Sequence, residues 1–417
     1  MGLHGSGPGQ QELTDVVGET AYLAGKAQHI SGITAHGYRL TIRLTHPTPD
    51  LPQRIADSPF CAVPTDMPLK PVTGAFPTSG PYYIAAETPG RNLVLLRNPN
   101  YHGDRPRRPR RIDVVIGPQH PIEAVETSKI DYAIDAVSPD QSARLDDRYG
   151  PHSPAARRGR QQYFVSPAFS VDSVHLNTSR PLFASARMRR AVNYAVDRRA
   201  LARYGGAFYA NASVAQMYLP PGIPGFRNEQ IYPLTPDVAA ARRLAGPRHH
   251  AAVLWCYLGA GGPRAARIIA RNLAAIGIDV QVKCFPGDQY WTFMLTPGAA
   301  WDLAVDGYQG GNDPGDYLDA YGSRVAYNAS HLHDPPVDAL LASAGRQSGL
   351  ARAFAYARID RVLVRDVAPE IAYANEDAHD FFSARVGCQL HQPLAGIDLG
   401  ALCIRTGRAS ALKRPIR

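Results

Sequence analysis

Several residue groups in this chain have the types and spacing that chemistry requires. Asp302 and Asp306, and Asp313 and Asp316, are pairs of carboxylates close enough in sequence to act as acid and base. His331 and His333, followed by Asp334, offer two imidazoles and a carboxylate to a metal ion, and Gly259-Ala260-Gly261-Gly262 stands between an apolar run and a helical one, where a dinucleotide turn would stand. Each group lacks what its chemistry needs next. No nucleophile or orienting base accompanies the carboxylates. A metal site needs three or four converging ligands, and two histidines at i, i+2 leave the others unnamed. The third glycine position of the dinucleotide turn is Arg264, so a plain strand-to-helix turn is the better reading. His4-Gly5-Ser6-Gly7 has the look of an oxyanion loop, but no G-x-S-x-G elbow exists to use it. No catalytic residue, cofactor or metal ligand is assigned, and the chain reads as a binder rather than an enzyme.

Composition is compatible with that reading. The 417 residues, 45% apolar and 19% charged, form an ordinary globular mixture with room for two or three domains. The net charge of +9 comes mainly from arginine, since only Lys26, Lys70, Lys129, Lys283 and Lys413 are lysines. The one basic cluster, residues 105–111, contains Pro106 and Pro109 and no interleaved aromatic residue, which favours a solvated loop over a nucleic-acid site. Five cysteines show no C-x-x-C pair. Cys256 and Cys284 fall at the ends of two successive expected strands, where a disulfide is geometrically feasible in an oxidising compartment; buried structural cysteine is the expectation for most of the five. No apolar run approaches the ~20 residues that cross a bilayer, and residues 1–11 are rich in glycine rather than apolar, so no export signal is expected within the chain.

The elements that must hold these groups are alternating strands and helices. Residues 251–258 form a continuous apolar strand, residues 263–276 a helix burying Ile268, Ile269, Leu273 and Ile276, and residues 278–282 a second strand, which together make a parallel βαβ unit. Residues 301–308 add a strand, and the glycine-rich loop 309–316 follows its carboxyl end, where ligands bind in open α/β sheets. The spacing predicts one amphipathic helix over 187–204 stopped by Gly205-Gly206, helices over 334–344 and 350–365, a half-buried strand over 38–44, and a hairpin made of 82–85 and 93–96.

That hairpin carries a wider resemblance. Thr78-Ser79-Gly80-Pro81-Tyr82-Tyr83-Ile84 with Arg97-Asn98-Pro99-Asn100-Tyr101, then Leu176-Asn177-Thr178-Ser179-Arg180-Pro181-Leu182-Phe183, residues 187–197, Leu219-Pro220-Pro221-Gly222-Ile223-Pro224-Gly225, and Asn312-Asp313-Pro314 with Tyr317-Leu318 resemble, in order, the signature blocks of one family. It is the extracellular solute-binding family 5, the oligopeptide-binding proteins of ABC importers. The resemblance implies an α/β, two-lobed periplasmic-binding-protein-like fold (type II, cluster C), with residues 1–170 a remnant of lobe I, 171–378 lobe II and 379–417 a return to lobe I. Family members carry a long segment ahead of the position matching residues 16–32, so lobe I is expected to be incomplete at its N-terminus.

By the same resemblance a peptide or similar solute is enclosed between lobes and delivered to a membrane permease, at the extracellular face or in the periplasm. The partners implied are that solute and the ABC permease, with a monomeric protein and no nucleic acid. The ligand-binding residues implied are Tyr290, Tyr308, Gln309, Gly310, Asn312 and Tyr373. Oligopeptide-binding members often place an aspartate just before the Asp-Pro loop to pair with a free amino terminus, and this chain has Gly310-Gly311-Asn312 there, which predicts weaker recognition of an α-ammonium group. The alternatives are an intracellular regulator or chaperone on the same fold, a non-functional truncated fragment, and a binder of nickel or a metal complex.

Overall fold

A computed structural model describes residues 13, 15–56, 60–67, 76–134, 138–203, 212–258, 261–296, 298–392 and 395–405. In chain order the strands are β1 (Ile33–His36), β2 (Arg39–Ile42), β3 (Tyr82–Thr88), β4 (Asn92–Arg97), β5 (Arg111–Val115), β6 (Tyr132–Ile134), β7 (Tyr163–Pro167), β8 (Ser170–Leu176), β9 (Ala212–Val214), β10 (His250–Leu258), β11 (Ile278–Pro286), β12 (Leu303–Gln309) and β13 (Glu370–Phe382). The chain divides into two compact units, one of residues 1–61 and 167–377, the other of residues 62–166 and 378–417. The sequence reading placed residues 1–61 with the stretch that follows them; here they group with 167–377.

The larger unit is built on a sheet in the order β11-β10-β12-β8-β13, with β9 also pairing β13. β10 runs parallel to both β11 and β12, as the βαβ pattern requires, and the connecting helix is Gly262–Ala274. β8 pairs antiparallel with β12 and β13. β8 is buried along its whole length and β12 over its first five residues, whereas β11, at the edge of the sheet, buries only Ile278 fully. Val174, Leu176, Leu254, Ile269, Trp301 and Leu303 belong to one core, and Val171, Leu219, Leu318, Tyr356 and Leu363 to a second.

The single helix expected over 187–204 is two helices, Ala186–Ala195 and Arg198–Ala202. Val196 is extended, and the Asp197 carboxylate accepts from Ala200 N at 2.9 Å and so starts the second helix. The Gly205-Gly206 stop lies outside the described residues. Arg189, Asn193 and Arg198 of this segment face inward and hold main-chain carbonyls in β13 and in the turn just before it. Arg189 Nε donates to Val367 O (2.8 Å), Asn193 Nδ2 to Glu370 O (3.0 Å) and Arg198 Nε to Ala372 O (2.9 Å). Arg198, 1% exposed, also donates to Asn193 O and Oδ1 and lies over the Tyr232 ring at 5.4 Å, and burial lowers its pKa to about 10. The strand expected over 38–44 is shorter, β2, and pairs with β1 as a two-stranded hairpin whose Tyr38 and Leu40 are exposed rather than half-buried. The later helices are Pro335–Gly345, capped by Asp334, and Gly349–Val362, which ends in a π-helical turn, Leu363–Val367.

In the smaller unit β3, β4 and β5 form an antiparallel sheet. Asn98 explains the hairpin signature: its Nδ2 donates to Thr78 O (3.1 Å) and Gly80 O (2.9 Å), and its Oδ1 accepts from Asn100 N (3.0 Å), which ties the Gly80-Pro81 turn to the end of β4. Three of the five arginines of 105–111 make internal contacts: Arg107 donates to Asn98 O, Arg108 to Ala401 O, and Arg111 pairs with Asp113. Phe381 and Phe382, in the last part of β13, pack with Leu145 and Tyr163 and with Val386 and Ile397 respectively. The closing segment holds two short pairings, Val386–Gly387 with Cys403–Ile404 and His391–Gln392 with Gly396–Ile397.

Cys256 and Cys284 stand opposite one another on β10 and β11 and are bonded. A second disulfide joins Cys388 to Cys403, and Cys61 is a free, exposed thiol.

Candidate functional site

The loop at the carboxyl end of β12 is fixed by bonds from its own side chains. Gln309 Nε2 donates to Ala168 O at 2.8 Å, and Tyr308 OH to Asp316 O at 2.7 Å. Tyr317 sits edge-on to Tyr308, ring centroids 5.5 Å apart, and its hydroxyl donates to Phe169 O (2.7 Å) and Gly311 O (3.1 Å). Gly310 lies against these rings: a Cβ there would come within 2.8 Å of Tyr317 Cζ and 3.0 Å of Tyr308 Cε1. A side chain at 310, aspartate included, would have to displace both rings. Asn312 is exposed at the loop's tip.

A buried ion pair anchors the loop from below. Arg352 donates to Asp313 through Nε (2.9 Å to Oδ2) and Nη2 (2.6 Å to Oδ1), and Asp313 Oδ1 also accepts from Gly315 N at 2.7 Å. The guanidinium reaches the Ala344 and Gly345 carbonyls through Nη1 and lies over the Tyr356 ring at 4.8 Å. Tyr356 OH donates to Asp319, whose carboxyl burial pushes up to about 7. Asp316 accepts from Asp313 N at 3.0 Å. Both members of this acidic pair are thus engaged in holding the loop's shape.

The other expected positions are spread through the unit. Tyr308, Gln309, Gly310 and Asn312 are together on the loop. Tyr290 is fully buried on the helix Gly287–Leu295, where its hydroxyl donates to Val305 O (2.7 Å) and Trp255 O (3.3 Å). Tyr373 is 1% exposed on β13, in the same core. These two tyrosines have no exposed surface and occupy packing positions.

Asp302 and Asp306 also have structural partners. Asp302 accepts from Arg180 Nε (3.0 Å) and Val253 N (2.8 Å). Asp306 belongs to a buried triad that the sequence did not reveal, because its members come from three strands. His175 on β8 meets Asp306 of β12 through Nε2 at 2.7 Å and Glu370 of β13 through Nδ1 at 2.6 Å. Burial opposes the imidazolium, but the carboxylates of Glu370 and Asp306 outweigh it and raise its pKa to about 10. Burial raises Asp306, whereas Glu370, despite burial, is held low by the charge and hydrogen bond of His175.

His331 packs against Trp301 at 5.7 Å, with its pKa lowered by burial, and Asp334 caps the helix Pro335–Gly345 by accepting from Val337 N. Among the described residues no three His, Cys, Asp or Glu side chains are arranged to hold a metal ion. Gly259 and Ala260 lie outside the described residues; at Gly262 a Cβ would fall 2.3 Å from Tyr257 O, so close packing of helix on strand accounts for that glycine.

The model of the bacterial extracellular solute-binding proteins, family 5 Middle, matches residues 8–328. The oligopeptide-binding protein OppA of Lactococcus lactis is 21% identical over 377 residues, 80% of this chain and 62% of that protein. Among solved structures, the clavulanic acid biosynthesis oligopeptide binding protein 2 is 21% identical with a TM-score of 0.73, covering 93% of this chain and 74% of that one. The murein tripeptide binding protein MppA of Escherichia coli is 19% identical with a TM-score of 0.71, covering 94% and 78%. These structural likenesses show the fold, the two-lobed α/β fold of periplasmic binding proteins. The chain belongs to the bacterial extracellular solute-binding proteins, family 5.

Proposed function

We propose that this protein is the solute-binding component of an ABC importer, taking a peptide or peptide-like solute as a monomer and passing it to a membrane permease outside the cytoplasm. The observation that carries the reading is the pinned loop 309–316 at the carboxyl end of β12, where Asn312 and Tyr308 are exposed above the Asp313–Arg352 pair. A loop fixed in this way presents main-chain groups and an aromatic face without ordering cost at binding. The proteins it resembles include an oligopeptide binder and a murein tripeptide binder, which supports a peptide or peptide-like solute. Two disulfides suit an oxidising compartment. Within this reading residues 171–378 are lobe II and 379–417 return to lobe I, and the solute contacts are Tyr308, Gln309, Gly310 and Asn312, with Tyr290 and Tyr373 backing them from the core.

The test is calorimetric titration with tri- to pentapeptides, each free-amine and N-acetylated. Saturable binding that weakens at least tenfold in Asn312→Ala or Tyr308→Ala supports the assignment. Because Gly310-Gly311-Asn312 stand where family members often place an aspartate that receives an ammonium, acetylation is expected to change affinity less than about threefold. Free-amine peptides binding far better than acetylated ones would overturn the expectation about the amino terminus, and no peptide binding at all would overturn the solute class.

A further inference from the structure

A cavity of about 720 Å³ opens at the end of β12 opposite the 309–316 loop, bordered by Asp302 just before that strand and by His250 at the start of β10. Seven residues of strand put the two about 23 Å apart, so the cavity is separate from the proposed solute loop. Arg180, Arg187, Arg248 and His250 line it against a single acid, Asp302. That acid is already taken, by Arg180 Nε and the Val253 amide. Arg187 donates to the main-chain carbonyl of Arg243, which leaves its charge uncompensated. Among the described residues no carboxylate lies within ion-pair distance of Arg187, Arg248 or His250. The rest of the wall is mostly apolar, chiefly Leu182, Met188 and Leu244, with the hydroxyl-bearing Ser185 among them. The size is that of a small-molecule pocket, and two unneutralised guanidinium groups beside apolar side chains fit oxyanions, which arginine binds in bidentate fashion.

We propose that this cavity is a second binding site, for a small organic anion whose two or more acidic oxygens, carboxylate or phosphate ester, sit on an apolar body. The acidic oxygens meet Arg187 and Arg248, and the apolar body lies on Leu182 and Met188.

Phenyl phosphate and phthalate probe the two kinds of anion, with inorganic phosphate as the probe lacking an apolar body, all titrated calorimetrically into the full chain at constant ionic strength. The expected result is saturable binding of one equivalent of at least one ring-bearing anion, at least tenfold tighter than inorganic phosphate. Arg187→Ala combined with Arg248→Ala should weaken it at least tenfold, and so should Arg248→Glu alone, a change at an exposed position. Arg91→Ala with Arg160→Ala, both exposed and in the other unit, should leave it within twofold. Absence of saturable binding, or equal weakening in both double variants, would mean only diffuse attraction to a chain of net charge +9 and would overturn the proposal.

Discussion

Arg352 and Asp313 are the pair whose removal tests how the candidate loop is held. Both side chains are nearly dry, 6% and 9% exposed, and they meet at 2.6 Å. Deleting one member of a buried pair leaves the other as an uncompensated charge, at a cost of about 3–5 kcal/mol. Arg352→Met should lie at the upper end, because it also removes the bonds to Ala344 and Gly345 and the contact with the Tyr356 ring. Asp313→Asn should lie near the lower end, since an amide oxygen can still accept from Gly315 N. At roughly 2–4 °C per kcal/mol for a unit of this size, the single variants should melt ~6–20 °C below the parent. The double variant removes both charges together and should be much less destabilised than the sum of the singles, with a coupling energy of roughly 2–3 kcal/mol. Urea unfolding followed by intrinsic fluorescence measures the cycle, and repeating it in 1 M NaCl should change the coupling little, because a desolvated pair is weakly screened. A coupling below ~0.5 kcal/mol, or one abolished by salt, would refute the idea that this pair anchors the loop.

The His175 triad makes stability depend on pH. Its pKa is raised to about 10 in the folded chain against about 6.5 unfolded, so its contribution is full below pH ~6.5 and is lost as pH rises through about 10. Melting temperatures should therefore fall more steeply between pH 7 and 10 in the parent than in His175→Gln, and parallel profiles would count against the triad. Gly310→Ala should cost ~1–3 kcal/mol through displacement of the Tyr308 and Tyr317 rings, visible in chemical unfolding. Replacing Cys388 and Cys403 together by serine removes a link across 15 residues and should destabilise the smaller unit by ~3 kcal/mol; an unchanged melt would show the link to be unimportant. Tyr290→Phe should lose ~1 kcal/mol of stability and leave peptide affinity unaltered if the tyrosine only supports the core.

The βαβ unit was legible because residues 251–258 form a continuous apolar run and the helix after them repeats at 3.6 residues, so pattern and fold agree. The break at Val196-Asp197 was not, because 187–204 keeps its apolar period across it, and only the local bond from Asp197 to Ala200 shows where the second helix starts. An aspartate just ahead of the five-residue helix Arg198–Ala202 was the available signal. The loop 309–316 was legible from its glycines and its position after a strand. Its anchor Arg352, 39 residues beyond Asp313, was not, since long-range pairing leaves no periodic trace. The same holds for His175, Asp306 and Glu370, and for the Cys388–Cys403 link. Tyr290 and Tyr373 carry no sequence mark that separates a pocket-lining tyrosine from a core one.

The grip of Arg189, Asn193 and Arg198 on β13 and the turn before it ends on carbonyl oxygens, which every residue type supplies. The recognition is therefore one-sided, and a saturation library should show it as an asymmetry. Positions 367, 370 and 372 should accept exchanges as far as their own side chains allow, because their part in these bonds is blind to identity. Positions 189, 193 and 198 should accept almost none, and lysine at 198 should fail along with the rest, since one ammonium cannot span three acceptors lying in the plane of a guanidinium. Substitution tolerance along this chain would then rise and fall with which partner contributes the side chain, even where burial is the same on both sides.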